Sequence, residues 1–363
     1  MLLIVLSPVI SSTNLRYPNH HLINNVQINT PKASTWKPQL VPSCIIKSGT
    51  KKIFAVEMRT PTYDNVWERQ FRISSLPTEI MSRVRCQDWS SDQDKYGGRG
   101  PNPPTPNCVV DEKYYVGSKR TMLAATLGLR DFNFFFHANF LILGLGGGNQ
   151  PMQFRSLFPL ATVSAVEIDK EDLELAQKCF GLTKDKKIHI YIDEASSFIS
   201  SSAANSKHTT FQTYDIIIND IATNIVSLNS GISGAGNTHD SFHSIDFFSN
   251  VVKLLNHPNG LFLMNQRLNK VDPTKVGTKN DSNADVLNEI ELTMKQGGFQ
   301  SVKSLVNVKV QRAIIIGSVN NDETFSNLQD LLIQNCEKLN LTIENGEYWR
   351  NVDILTEELN DYV

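Results

Sequence analysis

The 363-residue chain reads as an α/β protein: a doubly wound, mostly parallel seven-stranded sheet with a small β appendage at its N-terminal end. Three observations predict this. Short apolar runs, FLILG at 140–144 and DIII at 215–218, suit strands buried on both faces of a parallel sheet. From Asp111 onward such runs alternate with helical stretches, the pattern of a doubly wound fold. Before that point lies a segment at 87–110 with Gly97, Gly98, Gly100, Pro101, Pro103, Pro104 and Pro106. Its glycines loosen the backbone and its prolines bar a helix, which marks a linker.

The elements follow in order. Residues 1–50 are rich in Asn, Pro and Ser and predict little. The opening MLLIVLSPVISST has the length of a signal core but no basic segment before it and no A-x-A site after it. It is expected to be an N-terminal strand or an imprecise chain start. KKIFAVEMR (51–59) and WERQFRISS (67–75) read as strands, with turn chemistry at Pro61, Asp64 and Asn65 between them. A helix at about 112–128 carries Tyr115, Met122, Leu123 and Leu127. Strand 139–144 runs into glycine, and helix 149–157 ends at Phe158-Pro159. Strand 162–167 precedes helix 170–180, for which Asp169 is the expected N-cap and Gly181 the C′ residue. Strand 187–192, helix 194–202, strand 214–219, a polar loop, helix 241–256, strand 260–265 and helix 283–296 continue the alternation. Strands near 300–309 and 311–318 and a helix at about 323–339 close it. The expected organisation is therefore an appendage at 1–86, a linker at 87–110, a main domain at 111–340 and a tail at 341–363.

Lys and Arg number 35 against 37 Asp and Glu, a net charge of −2. Such a balance argues against nucleic-acid binding through a broad basic surface. No apolar stretch approaches the ~20 residues of a membrane span. The five cysteines, Cys44, Cys86, Cys108, Cys179 and Cys336, contain no C-x-x-C pair, so no metal site is expected. Their odd number and wide spacing predict unpaired, reduced thiols and a cytoplasmic protein.

The segment with the most chemistry is 141–148, LILGLGGG: a buried strand, a glycine-rich turn, then a helix. Glycines there admit positive φ and close approach of a ligand to the backbone. The helix that follows offers free N–H groups, and ligands of open α/β sheets sit at the carboxyl ends of the strands. The dinucleotide pattern G-x-G-x-x-G fails, because Asn149 or Pro151 stands where glycine is needed. The phosphate-loop pattern is absent too. G-x-G-x-G fits at Gly144, Gly146 and Gly148. Glu167 falls at the end of the next strand, where a carboxylate can accept both hydroxyls of a ribose. Asp193 ends the third strand and can accept from an adenine amino group. Asn219 and Asp220 end the fourth, beside the place of the reacting group.

Together these positions resemble the nucleoside-binding frame of the class I S-adenosylmethionine-dependent methyltransferases, which have a Rossmann-like fold. GLGGG at 144–148, VEID at 166–169 with the phrase ending Cys179-Phe180-Gly181-Leu182, and YDIIINDI at 214–221 resemble the spermidine-synthase-like branch. Tyr115, Ser118 and Met122, Phe158-Pro159 and the C-terminal Leu/Gln/Glu-rich helix narrow the likeness. They are similar to the C-terminal domain of the methyltransferase-like protein 13 family, which methylates translation elongation factor 1-alpha. The likeness covers 111–340 well and 45–86 loosely. It implies S-adenosylmethionine as cofactor and a protein acceptor. It places Gly144, Leu145, Gly146, Gly147 and Gly148 along the methionine and ribose, Glu167 and Ile168 at the ribose, Asp193 and Glu194 at the adenine, and Asp220 at the reacting centre as the catalytic residue. Two departures stand out: Glu194 where the family has a small residue, and Ile221-Ala222-Thr223-Asn224 where it often has an acid and a proline.

Other activities fit less of the chain. A polyamine aminopropyltransferase would share Asp111, Glu112 and Tyr115, but Gly117 stands where its helix has Glu, and the acid and proline after Asp220 are missing. Asn219-Asp220-Ile221-Ala222 is not the N/D-P-P-Y tetrad of base methyltransferases. A degenerate, nucleoside-binding scaffold is the non-enzyme alternative. His239 and His243 border the polar loop and read as surface or helix-start residues rather than general bases.

Overall fold

A computed structural model of the chain describes residues 39–48, 51–60, 66–74, 80–85, 110, 118–183, 185–205, 212–221, 240–256, 258–268, 283–307, 312–320 and 327–339. The expected linker (except Val110), residues 1–38, the loop at 222–239 and the tail lie outside them.

Four strands come first: β1 (Gln39–Ser48), β2 (Lys51–Thr60), β3 (Val66–Ile73) and β4 (Ser82–Val84), antiparallel in the order β1-β2-β3-β4. The main sheet holds β5 (Asn139–Leu143), β6 (Thr162–Glu167), β7 (Ile188–Ile192), β8 (Ile216–Asn219), β9 (Leu261–Arg267), β10 (Ser301–Asn307) and β11 (Arg312–Ser318). Its order is β10-β11-β9-β8-β5-β6-β7. The five strands from β9 to β7 pair in parallel, while β11 runs antiparallel to both of its neighbours. This is the doubly wound, mostly parallel seven-stranded sheet that the sequence predicts. Because β5 lies between β6 and β8, the winding reverses there, and the carboxyl ends of these strands form the switch-point crevice.

Eight helices are described: α1 (Ser118–Leu129), α2 (Phe132–Phe136), α3 (Asn149–Leu157), α4 (Lys170–Cys179), α5 (Ala195–Ala204), α6 (Ile245–Leu254), α7 (Ala284–Gln296) and α8 (Leu328–Lys338). Successive strand residues point to opposite faces, and both faces are apolar. Phe140, Ile142, Val163, Ala165, Ile216 and Ile218 face a core with residues of α1, α3, α4 and α8. Leu141, Leu143, Val166, Ile217, Phe262 and Met264 face a second core with residues of α5, α6 and α7.

Several elements depart from the sequence expectation. β1 is a ten-residue strand in a segment that predicted nothing, because its apolar residues do not alternate: the register shifts between Leu40 and Ile45. α2 is made of FNFFF, which has neither a helical nor a strand period. Asp131 caps it by accepting from Asn133 N at 2.8 Å, and Phe135 stacks on Phe158 at 5.2 Å. The helix expected at 241–256 is split. A 3₁₀ turn (Asp240–His243) is followed by Ser244, whose Oγ accepts from Phe247 N at 3.1 Å and starts α6 afresh. The helix expected at 112–128 is described only from Ser118, so Tyr115 lies outside the described residues.

The cysteine expectation is corrected. Cys44 of β1 and Cys179, the last residue of α4, form a disulfide across 135 residues, a pairing no local spacing reveals. Reduced thiols no longer support a cytoplasmic location. Cys336 is unpaired, and burial first, then the neighbouring Glu337, pushes its thiol up to about 12. The disulfide is one of several ties between the appendage and the main domain. Arg69 Nη1 donates to the Cys179 carbonyl at 2.8 Å, and the Phe71 and Phe180 rings lie 6.2 Å apart. Val41, Ile53, Ala55, Phe71 and Val84 belong to the same core as Leu175, Ala176 and Leu182. Among the described residues no helix is long and apolar enough to cross a membrane.

Candidate functional site

The glycine turn is built as its residue types require. Gly144 (φ +93°) and Gly148 (φ +77°) take left-handed conformations that L side chains rarely adopt. A Cβ on Gly144 would lie 3.1 Å from the Asp220 carbonyl oxygen, and one on Gly148 would press on Leu182. Gly146 is also left-handed, and its Cβ position meets nothing nearer than 3.6 Å, at Met81 O and Ser82 Cβ of the appendage. β4 thus lies over the turn, a neighbour that the sequence did not point to.

Glu167, at the end of β6, is 8% exposed and grips the turn. Its Oε2 accepts from Leu145 N at 3.1 Å, and its Oε1 accepts from Ile168 N at 2.9 Å and Asp169 N at 3.1 Å. A carboxylate offers about four lone-pair sites, so capacity remains for a ligand hydroxyl. Glu167 is therefore a brace as well as an acceptor, a role the sequence reading did not contain. Ile168 beside it is 63% exposed and presents an apolar surface. Asp169 takes the N-cap position of α4 with no side-chain capping bond.

Asp193 is exposed at the end of β7, and its Oδ1 accepts from Glu194 N at 2.8 Å. Glu194, expected beside the adenine, is the N-cap of α5. It accepts from Ser196 N at 3.0 Å and Ser197 N at 2.8 Å, and from the Ser196 hydroxyl. Burial opposes its ionisation, but the bonds from Ser196 and Ser197 outweigh burial and hold the carboxyl below the usual range. The departure from a small residue at 194 is thus absorbed by a helix cap.

At the end of β8, Asp220 N donates to Leu143 O at 3.0 Å, which seats it beside the glycine turn. Its Oδ1 accepts from Asn265 Nδ2 of β9 at 2.8 Å. The sequence reading missed Asn265. The parallel register that pairs Asn219 with Met264 sets Asn265 one residue further, next to Asp220. Asn219 itself is fully buried, its Oδ1 accepting from Ile221 N at 3.3 Å. His243 ends the 3₁₀ turn; His239 lies outside the described residues.

Gly144–148, Glu167, Ile168, Asp193 and Asp220 therefore gather at the carboxyl ends of β5 to β8, while Glu194 turns into its helix. A glycine cradle open to backbone approach, an acid brace and an apolar surface suit a nucleoside-bearing ligand. Fold and site define a Rossmann-like α/β protein with its crevice at the switch point of the sheet. The structure of human methyltransferase-like protein 13 in complex with SAH superposes with a TM-score of 0.52 at 20% identity, over 64% of this chain and 95% of that one. A probable spermidine synthase from Corynebacterium glutamicum gives 0.50 at 17% identity, over 80% and 86%. In sequence the chain is similar to the "eEF1A lysine and N-terminal methyltransferase" of Mus musculus, 28% identical over 166 residues, 45% of this chain and 22% of that protein. The Drosophila melanogaster homologue is 30% identical over 125 residues, 34% and 17%. The chain thus spans about a fifth of the length of these relatives. No family model matches.

Proposed function

We propose that the protein is an S-adenosylmethionine-dependent methyltransferase acting on an amine of a protein, with an elongation factor of the 1-alpha type as the acceptor class suggested by its relatives. The observation that carries this reading is the convergence of the left-handed glycine turn, Glu167 and Asp220 at the switch point of the sheet. When bound, the cofactor supplies a methyl group already activated on a sulfonium. The chain then has mainly to orient the acceptor, and proximity supplies most of the rate. Glu167 would accept from a ribose hydroxyl through its remaining lone pair, with Ile168 at the face of the base and Asp193 at its amino group. Asp220, steadied by Asn265, accepts a hydrogen bond from the acceptor amine and points its lone pair. Exclusion of water favours the neutral amine that this requires.

The test is incubation of the purified chain with labelled S-adenosylmethionine and whole lysate, followed by identification of the labelled protein and residue. One labelled protein amine is expected, with loss of labelling in Gly146→Arg. A folded wild-type chain that transfers no label to any protein overturns the reading.

A further inference from the structure

The Cys44–Cys179 disulfide joins the appendage to the main domain at a place that also touches the glycine turn. The residues after Cys179 carry the contact. Phe180 Cδ1 lies 3.1 Å from the position a Cβ would take on Gly147, and Leu182 Cβ lies 3.1 Å from that of Gly148. Between them Gly181 is left-handed at φ +73°. The N–H groups of Phe180 and Leu182 both donate to the Ala176 carbonyl, each at 3.1 Å. Segment 179–182 is therefore a fixed elbow set against the backbone of the turn. The appendage holds its other side. Arg69 Nη1 donates to the Cys179 carbonyl, the Phe71 ring lies beside that of Phe180, and Cys44 is bonded to the Cys179 sulfur.

The β1 end of the bond is the one that can open. β1 and β2 are in register at Leu40 with Val56 and again at Ile45 with Phe54. Residues 41–44 of β1 thus stand against Ala55 alone, and a bulge interrupts the ladder there. Pro42, inside the bulge, has no N–H to donate. Val41 and Cys44 are buried, while Ser43 is exposed. Packing and the disulfide hold this stretch where the ladder does not. Such stretches open locally without global unfolding. Opening gives a reductant access to two cysteines that are both 0% exposed in the closed form. The continuous registers of β2 with β3 and of β3 with β4 do not depend on the bulge.

We propose that the Cys44–Cys179 pair is a redox switch on cofactor binding. Oxidised, it keeps segment 179–182 pressed against the glycine turn. Reduced by a dithiol, it frees the bulge of β1, loosens that segment and weakens the cofactor. The step is a two-electron exchange. A thiolate of the dithiol attacks one sulfur, the S–S bond breaks, and the other cysteine leaves as a thiolate and takes up a proton. The second thiol of the reductant then releases the first cysteine and closes the reductant's own disulfide. The identity of the ligand rests on the methyltransferase reading; the coupling of the bond to the turn rests on the contacts of residues 179–182.

Calorimetry with S-adenosylhomocysteine on the full chain, oxidised and after treatment with dithiothreitol, tests the switch. Reduction is expected to weaken binding roughly tenfold, within the range of coupling between sites. Reoxidation restores the affinity, which shows that the fold was kept. Cys44→Ser is expected to bind as the reduced chain does and to ignore the reductant. Coupling is reciprocal, so saturating S-adenosylhomocysteine raises the dithiol-to-disulfide ratio that frees half of the pair by the same factor, read by thiol alkylation and mass spectrometry. Equal affinity in the two redox states overturns the switch, as does a response to reductant that survives in Cys44→Ser. An oxidised wild-type chain that binds no S-adenosylhomocysteine overturns the cofactor reading instead. Should Cys44→Ser not fold, the protection of the disulfide by ligand in the wild-type chain decides alone.

Discussion

The two acids of the site are held in different ways. Glu167 is bonded by three backbone N–H groups, from Leu145, Ile168 and Asp169. Asp220 is steadied by a side chain, Asn265 of the neighbouring strand. Backbone donors cannot change identity with sequence, whereas a side-chain donor can be exchanged by a single substitution. The Glu167 end of the site, the cofactor end in the proposed reading, is thereby built into the fold, and the Asp220 end, proposed to face the acceptor, depends on a side chain that one substitution can exchange. The two ends touch at Gly144, where the Asp220 carbonyl leaves no room for a Cβ.

Removing the brace is expected to have the largest effect. Glu167→Ala strands the N–H groups at 145, 168 and 169 and removes the ribose acceptor. S-adenosylhomocysteine binding should fall more than about 100-fold in calorimetry, with a lower melting temperature. Retained tight binding would break the contrast at its stronger side. Asp220→Ala should separate the ends: methyl transfer falls roughly 100-fold or more, while S-adenosylhomocysteine affinity stays within about threefold. If transfer is unchanged while the cofactor still binds, the catalytic role of Asp220 is wrong. Asn265→Ala should act in the same direction but less, about tenfold in kcat, because Asp220 keeps its backbone bond to Leu143. A fall in cofactor affinity instead would place Asn265 at the other end.

Two predictions concern the frame around the site. Cys44→Ser removes the tie between β1 and α4 and should cost about 2–4 kcal/mol in denaturant unfolding. A midpoint that does not move, in the variant or with reductant, would mean that the shared core alone holds the appendage. The smallest effect is at Asp185. The Lys187 backbone N–H first, and then Arg155, whose Nη2 lies 2.9 Å away, hold this carboxyl below the usual range against some opposition from burial. A depressed folded value adds stability above the ordinary aspartate range, lost as pH falls through the folded value. Asp185→Asn should therefore lower the melting temperature slightly at pH 7 and flatten its decline in acid.

Long, regular elements were legible. α3 and β6 fall on the residues that the pattern indicated, 149–157 and 162–167, because a buried run ending in glycine or a capped start is a local signal. The positive φ of Gly181 at the end of α4 was legible for the same reason. What was not legible involved partners far along the chain or mixed periods. β1 hides its pattern behind a register shift, and α2 consists largely of phenylalanine. Ser82 and Asn265 carry no motif, yet each reaches the site by register.

The sequence by itself determined the α/β alternation, the glycine turn and the strand-end positions of Glu167, Asp193 and Asp220. These follow from periodicity and backbone freedom within a few residues. Only the tertiary structure decided that Cys44 meets Cys179, that Asn265 steadies Asp220 and that β4 covers the turn. Those contacts arise from strand order and packing between segments 45 to 135 residues apart, a separation over which local pattern carries no information.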